Sequence, residues 1–151
     1  MGWLRIITTE DAVKEVWLVE EKANDATENN PLVMQQTQLE LTEFLDGTRQ
    51  HFTVALAPEG TAFQQTVWAE LVKIPFGKTI SYSELAKRLG DEKVIRAAAS
   101  ANGKNPIGLL IPCHRVIGTD GKLVGYAGGL ARKQWLLAHE NRIANGVLEL
   151  F

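Results

Sequence analysis

A proline–glycine break divides this 151-residue chain into two parts of opposite charge. Residues 1–60 carry 4 Lys/Arg and 11 Asp/Glu, and residues 61–151 carry 12 and 7. The balances of −7 and +5 make up the net charge of −2. Ala57-Pro58-Glu59-Gly60 stands where the sign changes, and Pro and Gly punctuate regular structure. The chain is therefore expected to form two domains, residues 1–57 and 61–151. A pI near 5.9 gives no hint of a nucleic-acid partner. Residues 73–115, with 8 basic and 3 acidic side chains, warn that a global value hides a local basic surface.

The composition, 45% hydrophobic and 23% charged, is that of an ordinary globular protein. No apolar run approaches the roughly 20 residues that span a bilayer. Residues 1–9 lack the basic region and apolar core of a secretory signal. The one cysteine, Cys113, makes no intramolecular disulfide and no cysteine-rich zinc site. A cytosolic, reducing compartment follows.

Periodicity predicts a small strand-and-helix unit first. Residues 4–8 and 13–19 alternate as two strands with Glu10-Asp11 at the turn. Asn30-Pro31 suggests an N-cap with Pro at the first helical position, for a helix running to Asp46 and stopping at Gly47. Residues 51–57 alternate as a further strand.

The second part is mostly helical. Thr61 with Gln64 fits a capping box, followed by Phe63, Val67, Trp68 and Leu71 at helical spacing. Ile74-Pro75-Phe76-Gly77-Lys78 breaks that helix. Ser81 with Glu84 fits a second capping box, opening a short helix that ends at Gly90. Residues 92–102 form a third. Two short helices joined at Gly90 are a helix-turn-helix candidate, although spacing alone favours an ordinary helical hairpin. The binding reading draws on the third helix. There Arg96 precedes the smooth run Ala97-Ala98-Ala99-Ser100-Ala101, which lets a backbone approach a groove closely. Residues 130–140 predict a last amphipathic helix. The fold class is α+β.

The apolar run 107–111 stops abruptly at Pro112-Cys113-His114-Arg115. A lone cysteine is more often a small buried hydrophobe than a nucleophile. Here Pro112 places it at the edge of the core, and His114 and Arg115 stand ready to lower its pKa. A glycine-rich stretch, 118–129, follows and is able to close over a flat ligand. A Cys–His pair with a carboxylate is a general nucleophile arrangement. Spacing does not choose the carboxylate. Glu140 is a candidate, with a solvated helix-terminal charge as the plain alternative.

Ile111-Pro112-Cys113-His114-Arg115-Val116 resembles the active-site motif of the O6-alkylguanine-DNA alkyltransferases, or methylated-DNA–protein-cysteine methyltransferases. Its companions occur in the family's order. They are Pro75-Phe76-Gly77-Lys78, Ser81-Tyr82, Arg96-Ala97, Asn105-Pro106, Tyr126, Gly128-Gly129-Leu130 and Leu136-Leu137-Ala138-His139-Glu140. The resemblance covers residues 61–141.

It implies a single-turnover repair protein that moves an alkyl group from guanine O6 in duplex DNA to Cys113. It implies His114 as a base acting through water, Glu140 as its orienting carboxylate and Asn105 as a brace for the turn. Tyr82 would rotate the nucleotide and protonate guanine N3. Arg96 would fill the gap left by the extruded base. Ser83, Ala97, Ala101 and Thr119 would join Arg96 and Tyr82 against the minor groove, and Val116, Tyr126, Ala127 and Gly128 would hold the base. The resemblance implies no cofactor and a monomer.

Three departures stand out. Ala127 replaces a frequent serine, leaving only a backbone contact. No cysteine lies outside the motif, so no N-terminal zinc is expected. The chain also starts almost directly in a strand, which implies a shortened first part. Two other readings compete: a helix-turn-helix regulator whose cysteine senses alkylation, and a Cys–His hydrolase. Cys113 itself separates the chain from related alkyltransferase-like proteins that lack the cysteine and only bind lesions.

Overall fold

The computed structural model describes residues 2–22 and 30–146. Among these no helix is long and apolar enough to cross a membrane. The chain divides into two compact units, one of residues 1–59 with 106–108, the other of 60–105 with 109–151.

In the first unit, β1 (Trp3–Thr8) and β2 (Val13–Val19) pair antiparallel, with a register irregularity between Ile7 and Thr8. Thr9 shapes the turn by accepting from the Asp11 and Ala12 amides. Helix α1 (Leu32–Asp46) buries Thr37, Glu40, Leu41 and Phe44, a stripe at helical spacing. Pro31 itself occupies the cap position, without a side-chain cap, and Gly47 closes the helix in the left-handed region at φ 90°.

The expected strand over 51–57 does not form as such. Only Leu56 bridges, parallel to Val13, through the Val13 amide on Ala55 and the Ala57 amide on Val13. The Thr53 amide and hydroxyl are instead spent on the buried Glu40 carboxylate, at 2.7 and 2.5 Å. A backbone donor engaged by a side chain is lost to a strand ladder.

Residues 106–108 also belong to this unit, although they follow the sign change by almost fifty residues. Ile107 bridges Val16, with the Val16 amide on the Pro106 carbonyl and the Gly108 amide on the Val16 carbonyl. A linear boundary near Gly60 misses this excursion.

In the second unit, α2 (Ala62–Val72) starts with the complete Thr61–Gln64 capping box. Its Trp68 is buried and donates to the Ala101 carbonyl at 2.9 Å. Strand β3 (Ile80–Ser81) pairs parallel with β4 (Val116–Ile117). Ser81 then caps α3 (Tyr82–Arg88) through the Glu84 amide, while the Glu84 carboxylate meets Arg88 rather than closing a box. Gly90 turns at φ 95°, and a 3₁₀ turn capped by Asp91 leads into α4 (Ile95–Gly103), which packs on α2 and α3. Helix α5 (Leu130–Asn145) runs five residues beyond the expected end, to a left-handed Gly146.

Candidate active site

Cys113, His114 and Arg115 form a 3₁₀ turn between the buried run Leu109–Ile111 and β4. The turn is reached through Leu109, which holds φ 70°. A non-glycine residue enters that region at a cost of about 1–2 kcal/mol. The Asn105 amide helps to fix it, donating to the Ile111 carbonyl at 2.8 Å and bonding to Cys113.

Two of the three side chains of the turn converge on Glu140. His114 is fully buried, and its Nε2 lies 2.5 Å from Glu140 Oε2 on α5. Arg115 turns to the same carboxylate, with Nε 2.8 Å from Oε1 and Nη2 3.1 Å from Oε2. Its Nη1 donates to the Ile74 carbonyl at 2.7 Å and its guanidinium lies over the Phe76 ring. Gly77 adds a fourth donor, its amide 3.0 Å from Glu140 Oε1. Gly77 has φ 80°, and a Cβ there would meet Ala144 Cβ at 2.4 Å, so the backbone approach needs glycine.

This network decides the protonation of the histidine. Burial alone would raise the Glu140 carboxyl, but His114 and Arg115 outweigh it and hold it at about 2. A carboxylate only accepts, so His114 Nε2 carries the hydrogen. Burial pushes the imidazole down against the pull of Glu140, so it rests neutral and its Nδ1 keeps a free lone pair. That Nδ1 is buried and has no hydrogen-bond partner among the described residues.

Cys113 departs from the expectation of a lowered pKa. Burial pushes its thiol up; the Asn105 hydrogen bond and the Lys133 charge pull against it without prevailing. Arg115 is committed to Glu140 instead. The resting group is a thiol, which must lose its proton in the reaction itself.

The thiol lines a cavity of about 260 Å³. Tyr82, Ala99, Asn102 and Gly103 contribute from α3 and α4, and Gly125, Tyr126 and Ala127 from the following loop. The volume lies just under the ~300–1,000 Å³ of drug-sized pockets, so it suits a compact ligand. Burial raises the pKa of both Tyr82 and Tyr126, keeping both phenols protonated.

Two residues expected to hold a base through their backbone are not among the residues that line the cavity. Val116 is fully buried in β4, and its carbonyl accepts from Lys133 at 2.7 Å. Gly128 is outside the lining, its carbonyl accepting from Arg132. Ala101, expected against the minor groove, faces inward. It is buried with Ala98 and Asn102, because helical spacing turns those positions inward. Arg96, Ala97 and Ser100 are the exposed positions of that run. Ser83 and Thr119 come together, their hydroxyls 2.8 Å apart.

Lys133, Asn102 and the bracing role of Arg115 escaped the sequence reading. Lys133 is fully buried yet donates to the Val116, Val124 and Gly125 carbonyls, and burial lowers it to about 8. The only available signal was a lysine at helical spacing from Leu136, Leu137 and Glu140 on one face of α5.

Residues 62–142 match the sequence profile described as 6-O-methylguanine DNA methyltransferase, DNA binding domain. The chain is 46% identical over 116 residues to a methylated-DNA–protein-cysteine methyltransferase of Methanosarcina acetivorans, covering 77% of this chain and 74% of that protein. It is 47% identical over 112 residues to the Mycobacterium tuberculosis protein of the same name, covering 74% and 68%. The crystal structure of the Mycobacterium tuberculosis O6-methylguanine methyltransferase superposes with TM-score 0.84 at 37% identity, covering 97% of this chain and 91% of that one. A structure of that protein in complex with DNA superposes with TM-score 0.82 at 38% identity, covering 91% and 86%.

Proposed function

The chain belongs to the 6-O-methylguanine DNA methyltransferase family, and on that premise we propose that it repairs DNA by irreversible transfer of an alkyl group from guanine O6 to Cys113. One observation carries the reading. The only cysteine lies in a small cavity, and the next residue is a neutral histidine whose free nitrogen is set by a braced carboxylate.

The alkyl carbon is a soft electrophile suited to sulfur. His114 Nδ1 takes the thiol proton through a solvent molecule, and Glu140 stabilises the imidazolium that forms. The new bond joins sulfur to the alkyl carbon, and the bond from that carbon to O6 breaks. The electron pair passes into the purine, Tyr82 protonates ring N3, and the base leaves as neutral guanine. The thiol proton restores the phenol through imidazolium and solvent. The product is a thioether that water does not displace, so each molecule acts once.

The target atom is stacked in the duplex and the base must be extruded. Arg96 and Ala97, exposed on α4, with the Ser83–Thr119 pair, form the face proposed for the minor groove. Tyr126, Ala127 and Gly125 form the loop side of the base cavity. A monomer suffices, since one chain supplies every group. The reaction needs a reduced thiol and so a reducing compartment such as the cytoplasm.

Intact mass after incubation with duplex DNA carrying O6-methylguanine is the test. One methyl group on the Cys113 peptide is expected, and none on Cys113→Ala, which should still bind DNA. A folded wild-type protein that stays unmodified refutes the proposal. Repeated turnover of an ester would favour a hydrolase.

A further inference from the structure

Asn102 lies on the inward stripe of α4, only 4% exposed, and lines the Cys113 cavity. Its Nδ2 donates to the Cys113 carbonyl and to the Tyr82 hydroxyl, both at 3.4 Å. Its Oδ1 is buried with no hydrogen-bond partner among the described residues.

These contacts fix the sense of the amide. A backbone carbonyl only accepts, so the amino end of Asn102 must face Cys113 O. Turned over, the amide would set two oxygens against each other. Tyr82 Oη therefore meets an N–H and accepts there. Its own hydrogen is directed elsewhere, and Tyr82 borders the cavity. The unpartnered Oδ1 is a burden on stability that an apolar residue of similar size would not impose. A side chain kept for packing alone has no reason to carry it.

We propose that Asn102 is a positioning residue that sets the polarity of the Tyr82 hydroxyl, so that its hydrogen is presented to a ring nitrogen of the base in the cavity. This rests on the alkyl-transfer reading. Asn102 exchanges no proton. It holds Tyr82 ready to give one to N3 while the carbon–O6 bond breaks and the sulfur–carbon bond forms.

A mutant cycle tests it. Single-turnover transfer from O6-methylguanine duplex is timed for wild type, Asn102→Leu, Tyr82→Phe and the double variant. Loss of one hydrogen bond to Tyr82 should slow Asn102→Leu about fivefold. In the Tyr82→Phe background the same change should matter less than about twofold, because the group it orients is gone. The melting temperature of Asn102→Leu should stay close to that of wild type, because loss of the two long bonds is offset by relief of the unpaired Oδ1. Asn102→Met, with a more adaptable side chain, is the second variant.

Independent, multiplicative losses would overturn the inference. So would slowing that follows a fall in melting temperature, or failure of both variants to fold, each marking Asn102 as structural. If wild type methylates Cys113 but is indifferent to Asn102, this inference alone falls. If wild type does not methylate Cys113, the alkyl-transfer reading falls and takes this inference with it.

Discussion

Replacing Glu140 with glutamine should unfold the protein at markedly lower denaturant. The carboxylate is 1% exposed and accepts from the Gly77 amide, His114 Nε2 and two nitrogens of Arg115. It titrates at about 2 rather than 4.5. At ~1.4 kcal/mol per pH unit, that difference favours the fold by on the order of 3 kcal/mol. Glutamine keeps the shape but loses the charge, and its amino group faces donors. Arg115, 6% exposed, is then a buried cation without its counter-charge. Breaking a buried pair in this way typically costs about 3–5 kcal/mol, the same range. A domain holds only ~5–15 kcal/mol in all, so the variant should lose a large fraction of its stability.

Urea melts measure the effect without adding salt. At pH 7 the midpoint should fall with the slope unchanged. The pH dependence then isolates the charge. A carboxyl lowered in the fold stabilises it above pH 4.5, and that contribution is lost as pH falls through about 2. The gap between wild type and Glu140→Gln should therefore narrow across that window. Equal midpoints at pH 7, or a gap that persists to pH 2, would refute the reasoning. The folded fraction of the variant should also transfer more slowly, because His114 Nε2–H is no longer imposed.

Two further predictions follow from exposed and buried cations. Arg96→Ala should slow repair in duplex DNA about tenfold or more while sparing reaction with free O6-benzylguanine, since extrusion costs a few kcal/mol only in the stack; equal losses on both would exclude an extrusion role. Lys133→Met removes the donor shared by the Val116, Val124 and Gly125 carbonyls. The Val116 carbonyl is buried and, left unpaired, costs about 1–3 kcal/mol, while the loop loses its tie to α5, so amide exchange in residues 118–129 should quicken while that of α2 should not.

What the chain alone determined is local. The Thr61–Gln64 capping box, the Gly47 and Gly90 stops and the start of α5 follow from backbone chemistry within a few residues. The motif around Cys113 with its spaced companions was enough to identify the family. Tertiary structure decided what depends on distant partners or on desolvation. Residues 51–57 carry a strand-like alternation, yet Glu40 takes the Thr53 amide. Ile107 pairs with Val16 across ninety residues, so Pro106–Gly108 joins the first unit. Alternation is blind to both. Arg115, two residues from the thiol in sequence, turns to Glu140, and burial raises Cys113 where neighbouring charges suggested the reverse. Sequence adjacency says which groups are near along the chain, but a pKa answers to the solvent a group has lost and to the partners that replace it.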